Sequence, residues 1–309
     1  MRKFVVNVLL FGILCIISIY IVLKMTDGYS DAYYLRFTTP KQSNFIIGTS
    51  KAAQGMNPAV INKILHKELY NYSFDISKSP FGPAYLKSIQ RKLSKEKKDG
   101  IFIVTVDCWS IYSKCKNPND IASFGENSSS VGEIEQVDQN PNFQYLTKYM
   151  SGNYYKIIFK PTVAQLHENG WLEVSLDMDS TSVARRTKNT LVEYKNLLSL
   201  YQFSQVRLDY LVDTIDFLNQ YGHVYLVRLP VSPKLMDIEN QLSPNFSSLM
   251  QLPAEKSYGF LDLTSKNKLF RYTDGVHLSK RSGTLVSEEI AHWIKNSERD
   301  TDTKHHKQQ

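Results

Sequence analysis

The sequence predicts an α/β fold: a parallel β-sheet covered by helices on both faces, preceded by one transmembrane helix. Short apolar runs typical of buried strands, at residues 43–48, 100–106 and 223–229, alternate with amphipathic helical segments and show no internal repeat. Such alternation is typical of parallel sheets in which each crossover helix packs back onto the sheet. A separate uncharged run at residues 4–23 is long enough for a membrane span.

The N-terminal run predicts a membrane anchor. About 20 apolar residues, at ~1.5 Å per residue in a helix, cross the ~30 Å hydrocarbon core of a bilayer. Arg2 and Lys3 precede the run and Lys24 follows it, so the positive-inside rule predicts a cytoplasmic N-terminus and an exported body, periplasmic or extracellular. A cleaved signal peptide is the alternative, although its apolar core usually has ~7–15 residues and ends at a small-residue cleavage site.

The elements of the exported body follow from hydrophobic periodicity. Apolar residues at helical spacing predict helices at residues 57–67, 83–97, 187–221 (one helix or two), 237–251 and 279–296. Apolar or β-branched runs predict strands at residues 43–48, 69–74, 100–106, 154–159, 223–229 and 258–263.

These elements divide the chain into an anchor and one domain. The predicted parts are the cytoplasmic N-terminus and anchor at 1–25, a juxtamembrane linker at 26–42, the domain at 43–296 and a polar tail at 297–309. A polar, Ser- and Asn-rich stretch at about residues 110–170 is interpreted as an insertion. A body of this size fits one α/β unit.

The charge and cysteine content exclude several classes of protein. The 309 residues contain 37 Lys and Arg against 30 Asp and Glu. That excess alone would suggest a nucleic-acid partner, but part of it flanks the anchor, and an exported body is not expected to meet nucleic acid. The three cysteines are too few for a disulfide scaffold. Cys108 and Cys115 either form one disulfide, which an exported compartment permits, or are two lone thiols.

A serine follows the first predicted strand of the sheet. Gly48, Thr49 and Ser50 stand at the strand-to-helix turn, and ligands of such sheets bind at the carboxyl ends of the strands. The Ser50 hydroxyl can project from this edge, and the N–H groups of the following helix start can face a developing oxyanion. The alternative is that Ser50 only caps the helix.

An Asp-x-x-His pattern precedes the last predicted helix. Asp274 and His277 are separated by a glycine-containing turn, which can place both side chains on one side of the chain. A serine nucleophile needs a base, and the base needs a partner that fixes its tautomer. The alternative is a helix-capping loop with a surface histidine.

Together these two motifs resemble those of the SGNH (GDSL-like) serine hydrolase superfamily. GTSKAAQG at 48–55 is similar to its first block, and DGVHL at 274–278 is similar to its last. The arrangement most resembles the membrane-anchored, exported branch, which includes the D-alanyl-lipoteichoic acid biosynthesis protein and the alginate O-acetyltransferase-like proteins. The resemblance implies a three-layer α/β/α, flavodoxin-like fold over 43–296. It also implies Ser50 as nucleophile, His277 as general base and Asp274 as the partner of His277.

This resemblance predicts a serine esterase or O-acyltransferase that acts on a cell-envelope glycan or a related acylated polymer. A transferase would need a membrane partner that supplies acyl groups on the exported side. The alternative is an inactive SGNH-like module that binds envelope glycan or a membrane partner.

The middle of the chain departs from the family pattern. The family carries a glycine in a second block and an asparagine in a third, both serving the oxyanion hole. Here Asp107 stands where the third block is expected, and a carboxylate beside an oxyanion is repulsive. Residues that could instead contact the oxyanion or the substrate are Ser73, Gly82, Trp109 (through Nε1 or a backbone N–H) and Arg228.

The remaining candidates each have a structural alternative. Arg228, at the end of a strand, could bind an anionic substrate group or form a structural ion pair. Tyr154, Tyr155 and Trp171 could stack on a sugar ring or belong to the core or its rim. The histidines are scattered without metal-ligand spacing and no glycine-rich nucleotide loop is present, so neither metal nor cofactor is expected.

Overall fold

A five-stranded parallel sheet organises the protein. The computed structural model describes residues 1–150, 154–160 and 163–306. The strands are β1 (Phe45–Ile47), β2 (Tyr70–Asn71), β3 (Gly100–Thr105), β4 (Tyr112–Ser113), β5 (Ala164–Leu166), β6 (Leu172–Val174), β7 (Gln202–Phe203), β8 (Gly222–Arg228) and β9 (Gly259–Asp262). The central sheet has the order β2-β1-β3-β8-β9 with every neighbour parallel, which is the flavodoxin-like order.

Helices cover both faces of this sheet, so the predicted α/β fold is confirmed. They are α1 (Arg2–Lys24), α2 (Ser50–Gly55), α3 (Pro58–Leu65), α4 (Pro83–Lys92), α5 (Ser130–Glu133), α6 (Phe143–Lys148), α7 (Ser180–Leu198), α8 (Gln205–Asn219), α9 (Pro233–Leu242), α10 (Phe246–Leu249), α11 (Gln251–Lys256) and α12 (Lys280–His306). The predicted helix at 187–221 is therefore two helices, α7 and α8.

Alternate residues of the strands pack in two separate hydrophobic cores, one on each face of the sheet. In β3, Phe102 and Val104 pack in the cluster that contains α4, α8 and α9 side chains, whereas Ile101 and Ile103 pack with residues of α2, α3 and α12. Successive strand side chains point to opposite faces, and both faces are buried here. That is why the run at 100–106 is apolar at nearly every position.

Helix α1 stands apart from these cores. It has 23 residues and a mean hydropathy of 2.8 over its most apolar window, none of which is buried. By length and composition it is able to cross a membrane; a signal sequence has the same properties. The segment predicted as a linker, 26–42, packs into the domain, where the fully buried Arg36 donates hydrogen bonds to the carbonyl oxygens of Asn71 and Gly170.

The end of the predicted insertion packs against α2. The hairpin of β5, within the insertion, and β6, just beyond it, places Leu166 and Leu172 against Ala53, and Trp171 Nε1 donates to the Gln54 carbonyl at 2.9 Å. Parts of the insertion (151–153 and 161–162) and of the predicted tail (307–309) lie outside the described residues.

Two predicted elements are wrong in type or position. The segment predicted as a strand at 154–159 contains a short 3₁₀ helix, Tyr154–Ile157. Ile157 is the buried apolar residue of this segment, whereas Tyr154, Tyr155, Ile158 and Phe159 are exposed. The apolar run therefore does not form a buried strand. The helix predicted at 237–251 begins earlier, with Pro233 at its first turn, a favoured helix-start position for proline. It ends before Pro244, because the residue that precedes a proline is disfavoured in helical conformation.

Candidate active site

Ser50 is the first residue of α2, directly after the carboxyl end of β1. The turn that leads to it requires glycine at 48, because a Cβ there would lie 1.8 Å from Thr105 Oγ1 on the neighbouring strand. Thr49 is the N-cap of α2. The Ser50 side chain is half-buried and lies at the sheet edge where the sequence predicts it.

The Asp274–His277 turn is held by its own backbone. Gly275 has φ +92°, in the region that favours glycine, and Thr273 N–H donates to the His277 carbonyl at 2.8 Å. One carboxylate oxygen of Asp274 accepts hydrogen bonds from the backbone N–H groups of Val276 and His277, both at 2.9 Å. The turn itself therefore fixes the carboxylate, independently of the contact with the histidine ring.

A continuous chain of hydrogen bonds joins the two motifs. The second oxygen of Asp274 lies 2.8 Å from His277 Nδ1, and His277 Nε2 lies 2.9 Å from Ser50 Oγ. With the ring proton on Nδ1, the imidazole donates to Asp274 and presents Nε2 as an acceptor for the serine hydroxyl. The histidine and aspartate side chains are 18% and 21% exposed, so the pair is partly open to solvent.

Asp274 is held in its ionised form. Burial alone would raise its pKa, but the hydrogen bond and charge of His277, with the two backbone N–H groups, bring the pKa below the ordinary value of 3.8. An ionised carboxylate at this place stabilises an imidazolium ring whenever His277 takes up a proton.

A second group of charges includes Lys51, the residue that follows Ser50. The Lys51 ammonium is 2.5 Å from Glu239 Oε1 and 3.2 Å from Asp107 Oδ2, and all three side chains are buried. Thr49 Oγ1 donates to the same Asp107 oxygen at 3.2 Å. Burial would lower the pKa of Lys51, but the carboxylates of Asp107 and Glu239 raise it above the ordinary value, so the lysine is charged.

Two predicted site residues belong to this buried group. Trp109 Nε1 donates to Glu239 Oε1 at 3.2 Å. Arg228 lies 3.5 Å from the other Glu239 oxygen and 3.6 Å from Asp262, which is the ion-paired arrangement that the sequence left open. Within the described residues, neither side chain is hydrogen-bonded to Ser50 or His277, and their contact with a substrate stays a prediction.

The other two predicted residues have contacts apart from Ser50, Asp274 and His277. Ser73 is fully buried, and its hydroxyl is 3.4 Å from the Ile46 carbonyl. Gly82 precedes α4, and a Cβ there would lie 2.9 Å from Glu126 Oε1 and 3.3 Å from Arg207 Nη1. The structure therefore brings together Ser50, Asp274 and His277, while roles for Ser73 and Gly82 at the oxyanion stay predictions.

The cysteines and aromatic residues fall into different surroundings. Cys108 is buried and Cys115 half-buried, and both are free thiols. Trp171 stacks on His167 with ring centroids 4.9 Å apart, whereas Tyr154 and Tyr155 are exposed. In the ranges that the structure describes, no three His, Cys, Asp or Glu side chains are grouped as metal ligands.

Sequence reasoning missed Lys51 and Glu239. Lys51 carries a weak signal, since it directly follows the serine in a short helix that has no other charged side chain. Glu239 carries none: it is one of the polar residues of an amphipathic helix, and its burial depends on how α9 packs on the sheet edge.

Comparison with known proteins finds no matching family model and no matching curated protein. Among solved structures, an acetyl xylan esterase (Est2A) from the rumen bacterium Butyrivibrio proteoclasticus is similar at a TM-score of 0.29 and 9% identity. The match covers 84% of this chain and 64% of that esterase chain, less than two thirds of its length. The site is therefore interpreted from its own side chains.

Proposed function

We propose that the protein is a serine-dependent esterase or O-acyltransferase in which Ser50 is the nucleophile and His277 the general base. The observation that carries this proposal is the hydrogen-bonded chain from Ser50 Oγ through His277 to Asp274. Each member has the neighbour its role requires: the nucleophile a base within reach, and the base a carboxylate that fixes its tautomer.

The reaction proceeds in two steps, acylation and deacylation of Ser50. Ser50 Oγ attacks the ester carbonyl while its proton passes to His277 Nε2; the carbon–oxygen bond to the alcohol then breaks, and the leaving alcohol takes that proton. An acyl-serine remains. Water, or a sugar hydroxyl, then gives its proton to Nε2 and attacks the acyl carbon, which releases a carboxylic acid or a new ester and restores the Ser50 hydroxyl. Asp274 stays ionised throughout.

Backbone N–H groups supply the oxyanion contacts in this proposal. The backbone N–H groups of Ser50 and Lys51 lie in the first turn of α2, where N–H groups have no acceptor within the helix. Preorganised donors of this kind stabilise a tetrahedral oxyanion. Trp109 and Arg228 then act on the site through Glu239 and not on the acyl group.

The substrate class and location follow from the anchor. We place α1 in the cell membrane with the N-terminus in the cytoplasm and the α/β domain exported, because Arg2 and Lys3 make the N-terminal flank the more basic. A domain held there meets the glycans and acylated polymers of the cell envelope. Transfer, as opposed to hydrolysis, requires a membrane protein that delivers the acyl group.

The test uses the full chain in detergent, with an aryl acetate substrate and a fluorescent fluorophosphonate probe. We expect the wild type to hydrolyse the ester and to become labelled, and Ser50→Ala to lose both. Ser248→Ala, which changes an exposed serine on α10, is the matched control and should behave as the wild type. A wild-type chain that is folded, inert to the ester and unlabelled would refute catalysis by Ser50.

A second candidate is a non-catalytic module that binds envelope glycan or a membrane partner. Asp107 favours it, because this carboxylate occupies the place of an expected amide donor. Lys51 lies 3.2 Å from Asp107 and offsets its charge, which is why we rank catalysis first. Retention on an envelope-glycan column, in a wild type that no serine probe labels, would support the module.

A further inference from the structure

We propose that a second part of the protein enters the membrane beside α1: an exposed apolar patch formed by Phe143, Tyr154, Tyr155, Ile158 and Phe159. These five side chains are between 46% and 72% exposed. Below we call them the insertion patch. Its partner is the lipid of the leaflet that surrounds the C-terminal end of α1.

The insertion patch meets the anchor at Phe143 and Tyr154. The rings of Tyr20 in α1 and Phe143 have centroids 6.3 Å apart. Next to this contact, Val22 and Leu23 of α1 face Leu146 and Tyr154 across an almost entirely apolar groove of about 430 Å³. A surface that borders a membrane-crossing helix is exposed to the same lipid.

The depth of the contact agrees with the interfacial layer. Tyr20 lies four residues before Lys24, the last residue of α1, which corresponds to ~6 Å along a helix axis. Phe143 therefore lies near the edge of the apolar span, at the depth where amphipathic segments insert, ~5–10 Å into the headgroup boundary. Tyrosines are enriched at this level, since their rings are apolar and their hydroxyls polar.

One buried side chain and two hydrogen bonds fix the conformation of the patch. Ile157 is fully buried and fastens the segment to the core, while its neighbours project outwards. Tyr154 Oη donates to the Leu146 carbonyl at 2.8 Å, and Phe159 N–H to the Tyr155 carbonyl at 2.8 Å. The polar groups named here are satisfied within the protein, so the exposed side is free to contact lipid.

Charge should contribute less than apolar area to the contact between the insertion patch and the membrane. Lys148 is paired with Glu133, and Lys160 with Asp27, so two of the nearby lysines are already neutralised. We therefore expect contact with acyl chains to dominate over attraction to anionic headgroups.

The experiment measures lipid contact and needs no enzymatic activity, so its failure is separate from a failure of the proposed function. The full-length Tyr155→Trp variant is reconstituted in nanodiscs of phosphatidylcholine and phosphatidylglycerol, with and without bromine on the acyl chains. Ile21→Trp reports on α1, and Leu269→Trp, at an exposed position of the α/β domain, is the control. Phe159→Trp is a second probe of the patch should Tyr155→Trp fail to fold.

We expect bromine to quench most of the added emission at positions 155 and 21 and none at 269, after subtraction of the wild-type signal. Quenching at 21 without quenching at 155 or 159 would overturn the proposal and would point to a protein partner or water at the patch. Absence of quenching at 21 as well would overturn it through its premise, membrane insertion of α1.

Discussion

Two groups of charged side chains lie near Ser50. They differ in their exposure to solvent and in the number of secondary-structure elements that contribute to them. Asp274 and His277 come from one short turn and are partly open to solvent. Lys51, Asp107 and Glu239 come from α2, the end of β3 and α9, and are buried. A histidine at a partly open edge can exchange a proton with substrate, whereas a buried ammonium between carboxylates keeps its charge.

In the proposed mechanism, the two groups have different tasks. The partly exposed pair, Asp274 and His277, would move the proton of Ser50. The buried group links three elements, because Lys51 of α2 pairs with Asp107, just after β3, and with Glu239 of α9. Substitutions in the first group should therefore change rate with little change in stability, and substitutions in the second should do the reverse.

The largest effect is expected at Asp274. In Asp274→Asn the amide can no longer hold the proton on Nδ1, and loss of the correct tautomer in such sites costs about 10⁴ in kcat, or ~5.5 kcal/mol. Steady-state hydrolysis of an aryl acetate measures it. Asp262→Asn is the control, since that carboxylate lies 3.6 Å from Arg228 and outside the Ser50–His277 chain. Activity within tenfold of the wild type would remove Asp274 from the mechanism.

The next effect is on stability, at Lys51. Lys51→Met leaves the buried carboxylates of Asp107 and Glu239 without their shared counter-charge, and removal of one partner from a buried pair typically costs about 3–5 kcal/mol. The free energy of unfolding in urea, with the chain in detergent, measures the loss. Lys266→Met removes the exposed pair with Glu289 and should cost at most about 1 kcal/mol. Equal losses of unfolding free energy in Lys51→Met and Lys266→Met would contradict the stabilising role of the buried group.

The sheet and the contact between Asp274 and His277 could be predicted because their signals are local. Residues 100–106 are apolar at nearly every position, as a strand buried on both faces must be, and Asp274 and His277 lie within one turn. Glu239 and Lys51 could not be paired in advance, because their contact depends on how α9 packs over the end of the sheet. The strand wrongly predicted at 154–159 has a similar cause: apart from Ile157, its apolar residues are exposed at the surface and do not pack on a sheet face.

A smaller effect should appear when the pH dependence of stability is compared between wild type and Asp274→Asn. The pKa of Asp274 is lowered on folding from the ordinary 3.8, so its stabilisation is complete above that pH and disappears as the pH falls through the lowered value. The wild type should be the more stable at pH ~7, and the two unfolding free energies should converge under acid conditions. A difference that stays constant across this window would exclude ionisation as its origin.

The smallest expected effect on rate sharpens the position of Trp109. In Trp109→Phe the indole N–H that donates to Glu239 is lost, while an aromatic ring remains against Tyr194 and Tyr201. A hydrogen bond to a charged group is worth about 1.5–3 kcal/mol, so stability should fall by that order while kcat changes only a few-fold. Removal of an oxyanion donor would instead lower kcat by about 10²–10³. A loss of that size would assign Trp109 to the reacting centre, and the proposed division between a group that moves protons and a group that stabilises the fold would then be wrong for Trp109.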